Sequence, residues 1–160
     1  MSVRVYVPAS LSTLADALVS GGVGPQPVVG HAVTDELRAA LPDADEEQWE
    51  YAAMTAAARD SLGILGDQDP PRRVVVAVDA ASAAPTDHPT RVEVDEVVPL
   101  RRVAAVHVDD EAAADDVAAA RDAWAAAEEG DDEADAVVER CLDRDLGWYA
   151  THELPTLLEQ

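Results

Sequence analysis

The stretch that most constrains this chain is "RRVVVAVDA", residues 72–80. After two arginines it runs through five consecutive apolar residues, four of them valine. The run is short and β-branched, so it reads as a strand. Successive side chains of a strand point to opposite faces, and here both sets are apolar, so both faces need cover. A chain holding such a strand must place layers on either side of its sheet, which points to an α/β architecture.

The cover has an unusual make-up. The hydrophobic fraction is 48%, yet phenylalanine is absent and alanine and valine dominate. The core is therefore expected to consist of small and β-branched side chains, with Trp49, Trp124 and Trp148 as the large fillers. At 160 residues the expectation is one domain, residues 1–160, long enough to bury a core without a disulfide or metal staple.

The remaining elements follow from periodicity and caps. "VRVYVP" alternates valine with Arg4 and Tyr6, a strand that Pro8 ends. "SLSTLADALVSGG" is a helix with Ser10 as N-cap and Gly21 as its stop. "QPVVGHAV" reads as a second strand, and Thr34 caps a short helix closed by Pro42. "DADEEQWEYAAMTAAARDSLGILG" is a longer helix, with Asp43 and Glu46 fitting a capping box. Beyond the central strand, "RVEVDEVV" alternates as a half-exposed strand, and "PLRRVAAVHV" forms another. From about residue 109 the chain reads as helical. Ala113, Val117, Ala120, Trp124 and Ala127 repeat at helical spacing, and "ADAVVERCLDRDLGWYATHEL" is expected to run on as a second helix to Pro155. The order β-α-β-α-α-β-β-β-α-α predicts a mixed α/β fold, with a small mixed sheet of about five strands under four to five helices.

Charge narrows the function. The formal net charge is −22, of which residues 109–160 carry −14. All the basic charge is arginine, since the chain has no lysine. A field this negative repels nucleic-acid phosphate and anionic lipid, so direct phosphate binding and membrane attachment are not expected. There is no apolar run of transmembrane length and no signal-peptide pattern, which gives a cytoplasmic expectation. The lone Cys141 rules out an intramolecular disulfide and multi-cysteine metal sites, and reads as an inert buried thiol.

Candidate chemistry is sparse. His107, in "VHVDD", sits on a strand with apolar residues on both faces, flanked on its own face by Val103 and Ala105. The favoured reading is a core histidine followed by a helix cap from Asp109 or Asp110, and the alternative is a ligand at a sheet edge. His31 follows Gly30, which permits close backbone approach or a bulge. If its strand neighboured that of His107, the two rings would meet. Acidic residues occupy the first turn of every helix but one, "PASLST". There Ser10, Ser12 and Thr13 stand at open N–H groups, the single plausible anion pocket. Tyr149, His152 and Glu153 would share a helical face and offer a partner surface, but "HEL" lacks the second histidine of a metalloprotease motif. Two arginine pairs, Arg72–Arg73 and Arg101–Arg102, enter two strands and are expected at one sheet end. No metal site and no cofactor is expected.

The segments "VRVYVPASL", "HAVTDELR", "EYAAMTAAARDSL", "RRVVVAVD", "VPLRRVAAVHVDD" and "WYATHEL" together resemble a small uncharacterised family found in actinobacteria. That family carries only a domain-of-unknown-function label, so the resemblance implies no catalytic residue and no substrate. The functional expectation is a non-enzymatic soluble acidic domain that contacts a basic protein through an acidic helical face. The alternative is a small-molecule- or anion-binding domain, or an enzyme, with a site near Ser10, His31 and His107.

Overall fold

The computed structural model describes residues 2–159. Its elements, in chain order, are β1 (Val3–Ala9), α1 (Leu11–Ser20), β2 (Gly22–Val23), β3 (Val28–His31), α2 (Asp35–Ala40), α3 (Glu46–Ile64), β4 (Val74–Ala80), β5 (Ala84–Pro85), β6 (Arg91–Val94), β7 (Val98–Pro99), β8 (Val103–Val108), α4 (Ala114–Glu128), α5 (Asp132–Leu142), β9 (Gly147–Tyr149) and α6 (Leu154–Leu158). Seven strands form one sheet in the order β5-β6-β3-β1-β4-β8-β9, and β2 pairs with β7 as a separate ribbon. The mixed α/β class holds. The main sheet is larger than five strands, and its pairings are antiparallel throughout rather than mixed.

β4 is central and covered on both faces, as its continuous apolar run requires. Val74, Val76, Val78 and Ala80 join Val5 and Val7 of β1 on the face packed by α1 and α6. Val75 and Ala77 join Tyr6 on the other face, against Ala53, Ala57 and Ala58 of α3. These alanines let the α3 backbone lie close on the sheet. Ser61 fastens it there, its hydroxyl donating to the Ala9 carbonyl and accepting from the Val74 N–H. The α4–α5 hairpin packs behind α3, with Val117, Ala120, Val138 and Cys141 against Leu62 and Leu65.

Several sequence expectations are corrected. Of the three tryptophans, Trp124 does pack against the Leu62–Val117 cluster, but none is fully buried and Trp148 is 62% exposed. The largest fully buried side chain is Arg73, held by Asp109 through Nε–Oδ2 and Nη2–Oδ1 contacts of 2.8 Å each. Asp109 is thus an interior ion-pair partner, while Asp110 alone accepts from the Ala112 N–H to cap the following turn. The arginine pairs lie at opposite sheet ends because β4 and β8 run antiparallel, with Val74 opposite Val108. A register shift between Ala77 and Val78 inserts Ala104 and moves Val103 to the face of Val106 and Val108, away from His107. The α3 capping box is Asp45 with Gln48, later than Asp43 and Glu46. The expected last helix stops at Leu142, and "GWY" pairs with β8 as a strand.

Gly30 makes the close approach its position suggested. A Cβ there would lie 2.5 Å from Val5 Cγ1 and 2.9 Å from the Tyr6 carbonyl oxygen. The second neighbour is backbone and cannot rotate away. Gly30→Ala is therefore expected to lower stability by about 1–3 kcal/mol through overpacking, read as an earlier urea midpoint. An unchanged midpoint would contradict the close β1–β3 packing.

Candidate functional site

One of the singled-out residues gathers a polar cluster around it. β3 ends at His31, which pairs with Tyr6 of β1 and Arg91 of β6. It shares the α3-facing side with Tyr6, and α3 supplies its partner. His31 is 1% exposed, with Nε2 2.6 Å from Asp60 Oδ2 and Nδ1 2.7 Å from Thr90 Oγ1. The Arg91 guanidinium lies 3.7 Å from the same Asp60 oxygen. His88 packs edge-on to His31, with ring centroids 5.8 Å apart. Its Nδ1 accepts the backbone N–H groups of Thr90 and Arg91 at 3.2 and 3.3 Å, which leaves the proton of the neutral ring on Nε2. These groups border a cleft of about 360 Å³, lined by His31, Asp60, His88, Arg91, Arg59 and Glu128 among others.

The order hydroxyl–imidazole–carboxylate looks like a nucleophile relay, but its geometry points inward. Thr90 is 5% exposed and does not line the cleft. When Asp60 accepts from His31 Nε2–H, Nδ1 accepts the Thr90 hydroxyl proton and every member is satisfied. The network therefore ties β3, α3 and the loop before β6 together, and His88 and Arg91 line the cleft beside it. Sequence reading missed Asp60, His88, Thr90 and Arg91. A signal for Asp60 did exist, because it lies one helical turn beyond buried Ala57 on α3 and so borders the buried stripe.

The other candidates lie apart. β1 and β4 stand between the strands of His31 and His107, so the two rings do not meet. His107 is half-buried opposite Val75 and Trp148. Ser10 is buried, and its hydroxyl accepts from Thr13 N–H in a completed capping box. Ser12 donates to Asp69, so the proposed anion pocket is a filled cap with a carboxylate beside it. Thr13 lines a different, mostly apolar cleft of about 570 Å³ near Val7, Leu14 and Val97. Tyr149 lies in β9, whereas His152 and Glu153 are in a 3₁₀ turn, so the three share no helical face. Burial pushes the Cys141 thiol up to about 11, in keeping with an inert group.

A second surface feature lies at the β9 edge. Trp148 projects there on the side of His107. Exposed Asp143 and Asp145 precede it, and the Tyr51 hydroxyl donates to Asp145 at 3.3 Å. Asp110 and Glu111 flank Gly147 and Tyr149 around a small depression.

Burial, reinforced by Arg91, holds His88 below its ordinary value of 6.5. Burial, reinforced by Arg4, does the same for His107. The unfolded chain takes up these two protons as pH falls through 6.5, and the folded chain does so only lower. Their contribution is thus complete above 6.5 and declines below it. A His88→Gln/His107→Gln variant should lose less stability than wild type between pH 7.5 and 5.5 in urea titrations. Equal losses would refute the assignment.

Among the described residues, no helix is long and apolar enough to cross a membrane, and no three His, Cys, Asp or Glu side chains gather as a metal ion would need. The profile of the "Family of unknown function (DUF6912)" matches residues 3–158. No curated protein and no solved structure matches the chain.

Proposed function

We propose that this chain, which belongs to the DUF6912 family of unknown function, is a non-enzymatic cytoplasmic domain that binds a basic protein through the acidic, aromatic edge of its sheet. One observation carries the reading. Trp148 is 62% exposed on an edge strand whose surroundings include Asp110, Glu111, Asp143 and Asp145. An exposed indole is the kind of side chain that anchors interfaces, and a net charge of −22 steers cationic partners toward it. The function requires no cofactor. Affinity capture on the immobilised chain is expected to retain a basic protein at low salt and release it at high salt. An Asp143→Asn/Asp145→Asn/Trp148→Ala variant should retain much less of it. Equal retention by wild type and variant would refute this surface, and fractionation of host cells tests the location.

A second reading is a small-molecule site in the His31 cleft, favoured by His88 and Arg91 lining about 360 Å³ of space. Native mass spectrometry of gently purified protein tests it. A co-purified small molecule lost on Arg91→Ala supports it, and a bare chain counts against it.

A further inference from the structure

We infer that β9 receives an extended basic segment of the partner as an added strand, with an arginine or lysine of that segment lying over the Trp148 indole. The inference rests on the partner-binding reading and specifies how that partner is held.

The main sheet has two edges. One is β5, Ala84–Pro85, where Pro85 has no N–H to offer an incoming strand. The other is β9, Gly147–Tyr149, which pairs with β8 and carries neither proline nor charge. β9 is short, but with no proline or charge of its own it can still pair with an incoming strand. Tyr149 packs toward the valine core, and Trp148 projects from the opposite face, opposite His107. An added strand would therefore place alternate side chains beside the exposed indole.

The surrounding charge selects the occupant. Asp110 and Glu111 lie by Gly147 and Tyr149, Asp143 and Asp145 precede the strand, and exposed Glu153 follows it. Three arginines lie nearby: Arg73 pairs with the buried Asp109 carboxylate, and Arg72 lines the depression beside Gly147 and Tyr149. Arg144 Nε bonds Asp116, and Arg72 Nε bonds the Asp109 carbonyl. A cation from outside thus meets exposed carboxylates and a largely exposed indole, an aromatic ring that attracts Arg and Lys. A second copy of this chain would bring another −22 of charge and is disfavoured.

The test uses the full chain and a ten-residue peptide alternating valine with arginine. Isothermal titration should show binding that weakens as salt rises, and Trp148→Ala should weaken it at least tenfold. Gly147–Tyr149 amide exchange should slow on binding. The same peptide with alternate backbone nitrogens methylated, and so unable to pair as a strand, should bind wild type at least tenfold more weakly. That arm does not depend on how any variant folds. Equal binding of the methylated peptide, or no effect of Trp148→Ala in a chain whose circular dichroism matches wild type, would overturn strand addition while leaving partner binding by charge intact. Absence of binding by the alternating peptide would also overturn strand addition. Failure of the chain to capture any basic protein would overturn the underlying reading.

Discussion

Asp109→Ala is expected to destabilise the fold by about 3–5 kcal/mol, the usual cost of breaking a buried ion pair by removing one partner. The Arg73 side chain is 1% exposed and its partner 0%. Burial works to lower the Arg73 pKa, and the hydrogen bond and charge of Asp109 outweigh it and raise the value. Without that carboxylate the guanidinium keeps only the Arg144 carbonyl, at 3.0 Å from Nη2. The Arg73 backbone N–H also loses its acceptor, Asp109 Oδ2 at 2.8 Å. For a chain of this size the loss amounts to roughly 10–15 °C in Tm. The double variant Arg73→Met/Asp109→Leu removes both charges and should recover most of the stability. Thermal melts of the three proteins check this, and a single variant within about 0.5 kcal/mol of wild type would rule out the pair as an anchor of β4 to the end of β8.

Leu154→Ala should cost about 2–5 kcal/mol, as expected for a leucine truncated inside a core. Leu154 is 0% exposed, and with Leu157 it joins the cluster containing Val5, Val76 and Val106. Its neighbour Thr156 is exposed, so Thr156→Ala should stay within about 0.5 kcal/mol. Denaturant titration of the pair separates two pictures. If α6 closes the valine face of the sheet, the leucine variant unfolds far earlier. Similar midpoints would mean that the C-terminal helix is not part of the core.

These two sites also mark where sequence reading succeeded and failed. The two-sided burial of β4 was legible because it is written into consecutive residues. So were the α1 caps, Ser10 and Gly21, whose hydrogen bonds stay within a few positions of the chain. The sequence leaves Asp109 and Asp110 as equal cap candidates, and Asp110 takes that role; that Asp109 is instead a buried ion-pair partner is hidden because Arg73 lies 36 residues away. "GWY" was read as helix because it continues a helical stretch, and its pairing with Val106–Val108 is invisible until β8 is placed beside it. The His31 site shows the same division. Gly30 marked a close approach, but Asp60 and Thr90 reach His31 from 29 and 59 residues away.

By itself, then, the sequence determined the α/β class, the two-faced central strand, the starts of α1 and α2 and the acidic field, because periodicity, caps and charge are properties of neighbouring residues. Tertiary structure alone decided the antiparallel order of seven strands, the interior Arg73–Asp109 pair, the partners of His31 and the exposure of Trp148. Each of these depends on which distant segment arrives to satisfy or cover a group, and that is set by how the whole chain packs.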